Sequence, residues 1–551
     1  MYNVNMSKLI IIEAPGKIET VKKAVRPIWG FDCDVIATGG YLSTLSNTDI
    51  GVDFNSFLPV NMVPTESAIY FNQKLQKWRQ QYGKKGPWTS IVIMSDPDRE
   101  GEGIAGQIFE VVKKWFPDAV VERRYVNELT SEAIKHAVSN QEPDKGIILS
   151  QQARMVLDRL LPFAASCSLN KAGNFIGLGR LQLETTRVIK QQLSTWKRFL
   201  IKGPWKTNNG VFHVEHRTDS LDRAETIISA LRNTTNSEDI IAHRKEMIEE
   251  PPKPHSAFSL MSALHDMRPE DVMSYAQKAY MQARISYPRT DQRVFGKHSV
   301  NTVGGLIDTY HLNNCLSENW YLENIKHASV QGAHPALHPL SGWHPPGDKN
   351  QARIENEIAA RAMASLMRPA KYTRLQVTID AGEAGWVNAY KYDVEDKGWT
   401  EAYSRLGLSN PLFPDNTFGK KFPQISENFP TLSNIIGWME QSALGRPSTV
   451  ASIPSKLQIL GLLSSFCTPT ALGEKNLQDV YKVLPVLTKP EFTHLMEKGL
   501  DHISKTPDDY TEVVKSLLVE AGVDIVGLPD MVQNAQNFDA PEQSDTMDIF
   551  F

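Results

Sequence analysis

The sequence predicts a multi-domain chain of α/β plus α class, with one lobe built on a parallel sheet beside helical and β-rich lobes. Three observations lead there. A length of 551 residues is enough for three or four domains. A composition of 41% hydrophobic and 22% charged residues is that of a globular chain with a large core. Two short apolar, β-branched runs, at 8–13 and 90–95, are each followed by a helical apolar pattern. That alternation is expected of strands covered on both faces.

The formal net charge of −4 excludes a uniformly basic coat, so any DNA contact must come from local patches. Residues 151–200 qualify, with eight Lys or Arg against two acids. A solvated helix face would give the same count. Cys33, Cys167, Cys315 and Cys467 are scattered without a CxxC pair, which leaves no zinc ribbon and no disulfide framework. They read as reduced core cysteines, and a cytoplasmic location is expected. No signal peptide and no bilayer-spanning run is evident.

In chain order, the first strand ends on Glu13, Pro15-Gly16-Lys17 makes a turn, and residues 18–25 continue as a helix. A carboxylate and a lysine therefore lie at a strand's carboxyl end facing a helix start, where open α/β sheets bind ligands and helix amides favour phosphate. A Glu–Lys pair capping the helix is the plainer reading. The second strand runs into Asp96-Pro97-Asp98-Arg99-Glu100-Gly101-Glu102-Gly103, with a helix expected over 104–116. Four acids in seven residues repel unless a cation offsets them, and carboxylates with retained waters suit Mg²⁺. Residues 128–134 fit a capped helix start. Residues 249–254, Glu-Glu-Pro-Pro-Lys-Pro, form a stiff connector and a hinge candidate.

Residues 285–291 read Ile-Ser-Tyr-Pro-Arg-Thr-Asp. Pro288 biases Tyr287 toward extended backbone, so Tyr287 and Arg289 point the same way. A phosphodiester held by Arg289 would lie within reach of the Tyr287 oxygen. A free phenol titrates near ~10 and needs a fixed cation beside it to act at neutral pH. A packed Tyr beside a surface Arg would look the same in isolation. Residues 521–551 carry six acids and no Lys or Arg and end on Met-Asp-Ile-Phe-Phe, a composition expected to be disordered.

Glu13 on one strand with Asp96-x-Asp98-Arg99-Glu100-Gly101-Glu102 after another resembles a Toprim domain. Glu13-Ala-Pro-Gly-Lys17 resembles the opening of type IA DNA topoisomerases. Gln151-Gln152-Ala153-Arg154, Gly179-Arg180-Leu181-Gln182, the Tyr287 stretch, Ala333-His334-Pro335-Ala336-Leu337-His338-Pro339 and Gly445-Arg446-Pro447-Ser448-Thr449 resemble further segments of the same family, in order. Met155, Tyr41 and Pro335 stand where the family usually has Arg, His and Glu.

The resemblance implies a toroid of four lobes. These are a Toprim domain (6–40 and 65–145), a helical DNA-channel domain (41–64, 146–203 and 430–520), a β-rich hinge (204–255 and 352–429) and a catalytic tyrosine domain (256–351), followed by an acidic tail (521–551). It implies Tyr287 as nucleophile, Arg289 and Lys17 as charge stabilisers, Glu13 as general acid, and His334 at the scissile region. Mg²⁺ would be held by Asp96, Asp98, Glu102 and Glu13. Arg154, Arg180, Gln182, Arg446, Ser448 and Thr449 would contact a single-stranded DNA segment. A monomer is expected, with no membrane and no zinc. No ATP is expected either, and the chain has no GxxxxGK[ST] phosphate loop. The tail resembles those of single-strand-binding proteins and suggests a replication partner. A Toprim nuclease or primase, and a non-catalytic single-strand scaffold, are the competing readings.

Overall fold

The structure, a computed structural model, describes residues 6–31, 33–46, 49–170, 180–235, 242–318, 335–413, 422–447, 449–488 and 490–536. His334, Ser448 and residues 537–551 lie outside the described residues, as does the side chain of Arg180.

Strands β1 (Met6–Ile12), β2 (Asp34–Ala37), β3 (Trp88–Met94), β4 (Val121–Arg124) and β5 (Ser139–Asn140) form one sheet in the order β2-β1-β3-β4-β5. Every pairing is parallel except β4 with β5. In register, Ile10 faces Val35 on one side and Val92 on the other. Ile10, Ile12, Val92 and Met94 enter one core, while Leu9, Ile11, Ile91 and Ile93 enter another. Both faces are therefore buried, which is why these runs are continuously apolar instead of alternating. Helices α1 (Ile18–Trp29), α2 (Glu66–Tyr82) and α3 (Arg99–Trp115) supply the cover.

Helix α3 starts at Arg99, five residues before the expected 104. Asp98 is the reason: its Oδ1 accepts from Gly101 N at 2.7 Å and caps the helix. Gly101 is required there, because a Cβ would stand 2.0 Å from the Asp96 carbonyl oxygen.

The chain then enters the helical lobe through the long α4 (Lys145–Asn170) and α5 (Arg180–Leu193). A six-stranded sheet follows, made of Phe199–Thr207, Gly210–Thr218, Ala242–Glu249, Ala370–Asp380, Trp386–Asp396 and Gln424–Glu427. The long helix Lys349–Ala364 packs on helix Pro269–Met281 of the tyrosine lobe and not on that sheet. The tail expectation is corrected at its start. Residues 521–536 are folded, with Ala521, Val523 and Leu528 buried and a helix over Leu528–Gln536. Those apolar side chains give the segment a face to bury, which the acid count obscured.

Candidate active site

Glu13 follows the end of β1, and Asp96 and Asp98 follow the end of β3, its direct neighbour. Lys17 rises from the turn after β1, 2% exposed, and pairs with Asp96. Its Nζ sits 4.8 Å above the ring of Tyr280. Burial, then the charges of Asp96, Asp98 and Glu100, raise the Glu13 carboxyl to about 7, with Lys17 opposing.

The tyrosine lobe meets this surface directly. Tyr287 is 1% exposed, and its Oη donates to Asp98 Oδ2 at 2.6 Å. Its backbone N–H donates to the Asn127 carbonyl at 3.0 Å. The ring packs edge-on against Tyr280, centroids 5.3 Å apart. Burial and the charge of Asp98 push the phenol well above its ordinary range, while Arg289 pulls the other way. Arg289 approaches Glu100 at 4.0 Å. Residues 274 positions apart along the chain (287 minus 13) thus both act on Asp98. The adjoining cavity, about 1290 Å³, is lined by Asp98, Glu100, Arg154, Arg289, Arg446 and Thr449 among others.

Of the acids expected to share a metal, Glu102 stands apart. It is 1% exposed and spent on the fold: Oε2 takes Arg123 Nε at 2.9 Å, and Oε1 takes Tyr125 Oη at 2.8 Å and the Asp144 amide at 2.6 Å. Arg123 in turn holds the carbonyls of Ser95 and Asp96, so this buried pair braces the acid loop. Both acids border the cavity, but Glu100, two residues earlier, is 43% exposed at its side chain; burial and the charge of Asp98 raise its carboxyl. Among the described residues no three His, Cys, Asp or Glu side chains are drawn together around a metal. Glu13, Asp96, Asp98 and Glu100 nevertheless share an excess of negative charge that lifts Glu13 by burial and repulsion. That excess fits Mg²⁺, which keeps most of its waters and asks for one or two carboxylates.

The expected DNA contacts divide. Arg154 and Arg446 converge on Glu497, at 3.7 and 2.9 Å, together with Arg99 at 3.0 Å. Arg446 also reaches Asp291 at 3.5 Å. Thr449 lines the cavity. Gln182 is buried within its helix packing. Tyr41, in place of the family's usual histidine, accepts from Gln151 Nε2 at 2.8 Å. Glu100, Asn127, Glu497 and Asp291 were not singled out from the sequence. Only Glu100 left a signal, as an acid inside the Asp-x-Asp run.

A parallel-sheet lobe that turns clustered carboxylates toward a tyrosine and an arginine on a second lobe defines a class: enzymes that exchange a phosphodiester for a protein ester. The comparisons agree. The family described as DNA topoisomerase matches residues 142–515, and the Toprim domain matches residues 8–129. A DNA topoisomerase 1 of Aquifex aeolicus (strain VF5) is 25% identical over 545 residues, covering 92% of this chain and 97% of that protein. A DNA topoisomerase 1 of Buchnera aphidicola subsp. Schizaphis graminum (strain Sg) is 25% identical over 564 residues, covering 90% of this chain and 63% of that longer protein. The full-length topoisomerase I structure from Thermotoga maritima shares the fold, with a TM-score of 0.68 at 20% identity, covering 95% of this chain and 90% of the other. The chain belongs to the DNA topoisomerase family. It is a type IA topoisomerase, an isomerase acting on DNA.

Proposed function

We propose that this enzyme cuts one DNA strand by attack of Tyr287 Oη on a phosphodiester, passes a strand through the gap and rejoins the ends without ATP. Negative supercoils are relaxed, or linked circles separated. The observation that carries the reading is the 2.6 Å hydrogen bond from Tyr287 to Asp98 across the two lobes.

In the forward step the Tyr287 oxygen–phosphorus bond forms and the phosphorus–O3′ bond breaks, leaving a 5′-phosphotyrosyl ester and a free 3′-hydroxyl. The phenol proton has an acceptor in Asp98. Glu13, protonated at neutral pH to a degree no ordinary carboxyl reaches, gives its proton to the departing 3′-oxygen and recovers it on rejoining. Arg289 and Lys17 offset the charge of the pentavalent phosphorus; losing one such stabiliser costs roughly 10²–10³ in rate. Asp96, Asp98 and Glu100, with Glu13 beside them, would hold Mg²⁺, which supplies charge neutralisation and strand positioning when bound. The ester conserves the phosphodiester's energy, so rejoining needs no nucleotide. Arg154, Arg180, Gln182, Arg446, Ser448 and Thr449 are the proposed backbone contacts, and His334 the proposed contact at the scissile linkage.

A nuclease or primase would have no use for the phenol at the acid loop, and a scaffold none for the raised Glu13. The deciding experiment is covalent trapping on a labelled single-stranded oligonucleotide. Wild type forms a 5′-phosphotyrosyl adduct, and Tyr287→Phe forms none while still binding the strand. An adduct surviving in Tyr287→Phe would end the assignment.

The enzyme is proposed to act as a cytoplasmic monomer; no helix among the described residues is long and apolar enough to cross a membrane. Its acidic terminus is proposed to contact a replication protein. Removing residues 541–551 should lose pull-down partners and leave cleavage intact. An unchanged set of partners would remove that proposal.

A further inference from the structure

Two neighbouring residues of the Toprim lobe grip the tyrosine lobe. Asn127 holds Tyr287 through the backbone, and Glu128 reaches His338. His338 is fully buried on a segment that pairs with the tyrosine strand: Ser286 N–H donates to the His338 carbonyl at 3.0 Å, and His338 N–H donates to Ser286 Oγ at 3.2 Å. Its Nδ1 lies 2.8 Å from the Ala336 carbonyl oxygen, and its Nε2 lies 3.2 Å from Glu128 Oε1. A carbonyl oxygen and an ionised carboxylate can only accept. The His338 ring thus bridges the Ala336 carbonyl of its own segment and the Glu128 carboxylate of the other lobe. Burial pushes the Glu128 carboxyl up, but the hydrogen bond and charge of His338, helped by His298, outweigh it and keep the group ionised. His298 Nε2 stands 3.9 Å from the other Glu128 oxygen. The contact is therefore a buried hydrogen-bonded pair across the gate, adjacent in sequence to the backbone bond that seats the tyrosine.

We propose that Glu128 and His338 form a positioning pair: they hold the tyrosine strand against the acid loop during cutting and rejoining, and separate each time a strand passes. This rests on Tyr287 being the nucleophile. Neither residue touches the reacting atoms; they act through the placement of residues 285–288. Misplacement by about an ångström is enough to slow a reaction by roughly 10². Once the strand is cut, the pair favours the closed gate, in which the ester and the 3′-hydroxyl meet. Weakening it shifts cut complexes toward the open form, so the adduct accumulates and rejoining slows.

The test compares wild type, Glu128→Gln, His338→Gln and the double variant on a single-stranded oligonucleotide, reading strand affinity, adduct yield and the rate of salt-triggered rejoining. Each single substitution should raise the adduct and slow rejoining roughly tenfold, with affinity unchanged. The double variant should be no worse than either single, since both remove one interaction. Rejoining within twofold of wild type in folded Glu128→Gln would overturn the proposal, as would effects that multiply in the double variant. Where His338→Gln does not fold, Glu128→Asp decides. A carboxylate that recovers at least part of the rejoining rate lost in Glu128→Gln supports the pair, and no recovery refutes it. If wild type forms no adduct at all, the nucleophile assignment fails and the positioning pair falls with it, whereas a wild-type adduct with unchanged rejoining in the variants overturns the pair alone.

Discussion

Glu13 has the titration its proposed job requires, and for reasons legible in its surroundings. It sits at a buried strand end among Asp96, Asp98 and Glu100, so burial and then repulsion lift it to about 7, while Lys17 resists. Two consequences follow. Metal-free oligonucleotide cleavage should fall as pH rises through about 7, and Glu13→Gln, unable to give a proton, should lose both the activity and that pH dependence. Stability should fall over the same range. The folded chain keeps a proton that the unfolded chain releases near 4.5, so this group's contribution is intact below 4.5 and is lost as pH climbs to about 7. Glu13→Gln should therefore be more stable than wild type at pH 8 without metal, by on the order of 3 kcal/mol in denaturant unfolding. A variant no more stable than wild type would contradict the charge crowding. At this scale the sequence was informative where chemistry sat at strand ends or beside a proline. It failed between Glu100 and Glu102. Read as a loop, the two acids point alike. In a helix, two residues are separated by roughly 200°, so Glu102 turns into its buried pairing with Arg123 while Glu100 stays open to the cavity. The Asp98 cap that starts the helix early decides which.

Between elements, the connection that matters is the carboxylate of Glu497, on the helix Pro490–Lys505. It gathers Arg99 from the start of α3, Arg154 from α4 and Arg446 from a loop whose arginine also reaches Asp291, four residues past Tyr287. Burial would raise this group, but Arg154, Arg446 and Arg99 together bring it down to about 2. Its stabilisation is present above the ordinary carboxylate pKa near 4.5 and is lost as pH falls toward about 2. Glu497→Gln at pH 7 should cost about 3 kcal/mol and should lose most of the difference between pH 7 and pH 3 that wild type shows in thermal unfolding. A variant as stable as wild type at pH 7 would show the arginines to be satisfied without it. Nothing in the spacing of residues 492–503 announces this role. An ion pair between residues 398 positions apart depends on where whole helices come to rest.

Across the whole molecule, the lobes interleave along the chain, and that limited what could be read. The parallel sheet was legible because its two neighbouring central strands, β1 and β3, are continuously apolar. The six-stranded sheet draws strands from either side of the entire tyrosine lobe, pairing Ala242–Glu249 with Ala370–Asp380. Alternating polar strands that far apart carry no mutual mark. Asp98, Arg154, Arg289 and Arg446, each from a different motif, nonetheless line one cavity. The proline-rich stretch 251–254 leads from the end of the strand Ala242–Glu249 into the tyrosine lobe, a stiff arm at the point where that lobe would swing.

The hydroxyl of Tyr287 is engaged by a carboxylate, and burial together with that charge suppresses its ionisation. Under the proposed mechanism the phenol becomes a competent attacking oxygen as it gives its proton to that carboxylate, with a backbone linkage held beside it. Compounds meant to poison the enzyme would meet a spent hydrogen bond in the unloaded form, and are better sought against the complex with a bound strand.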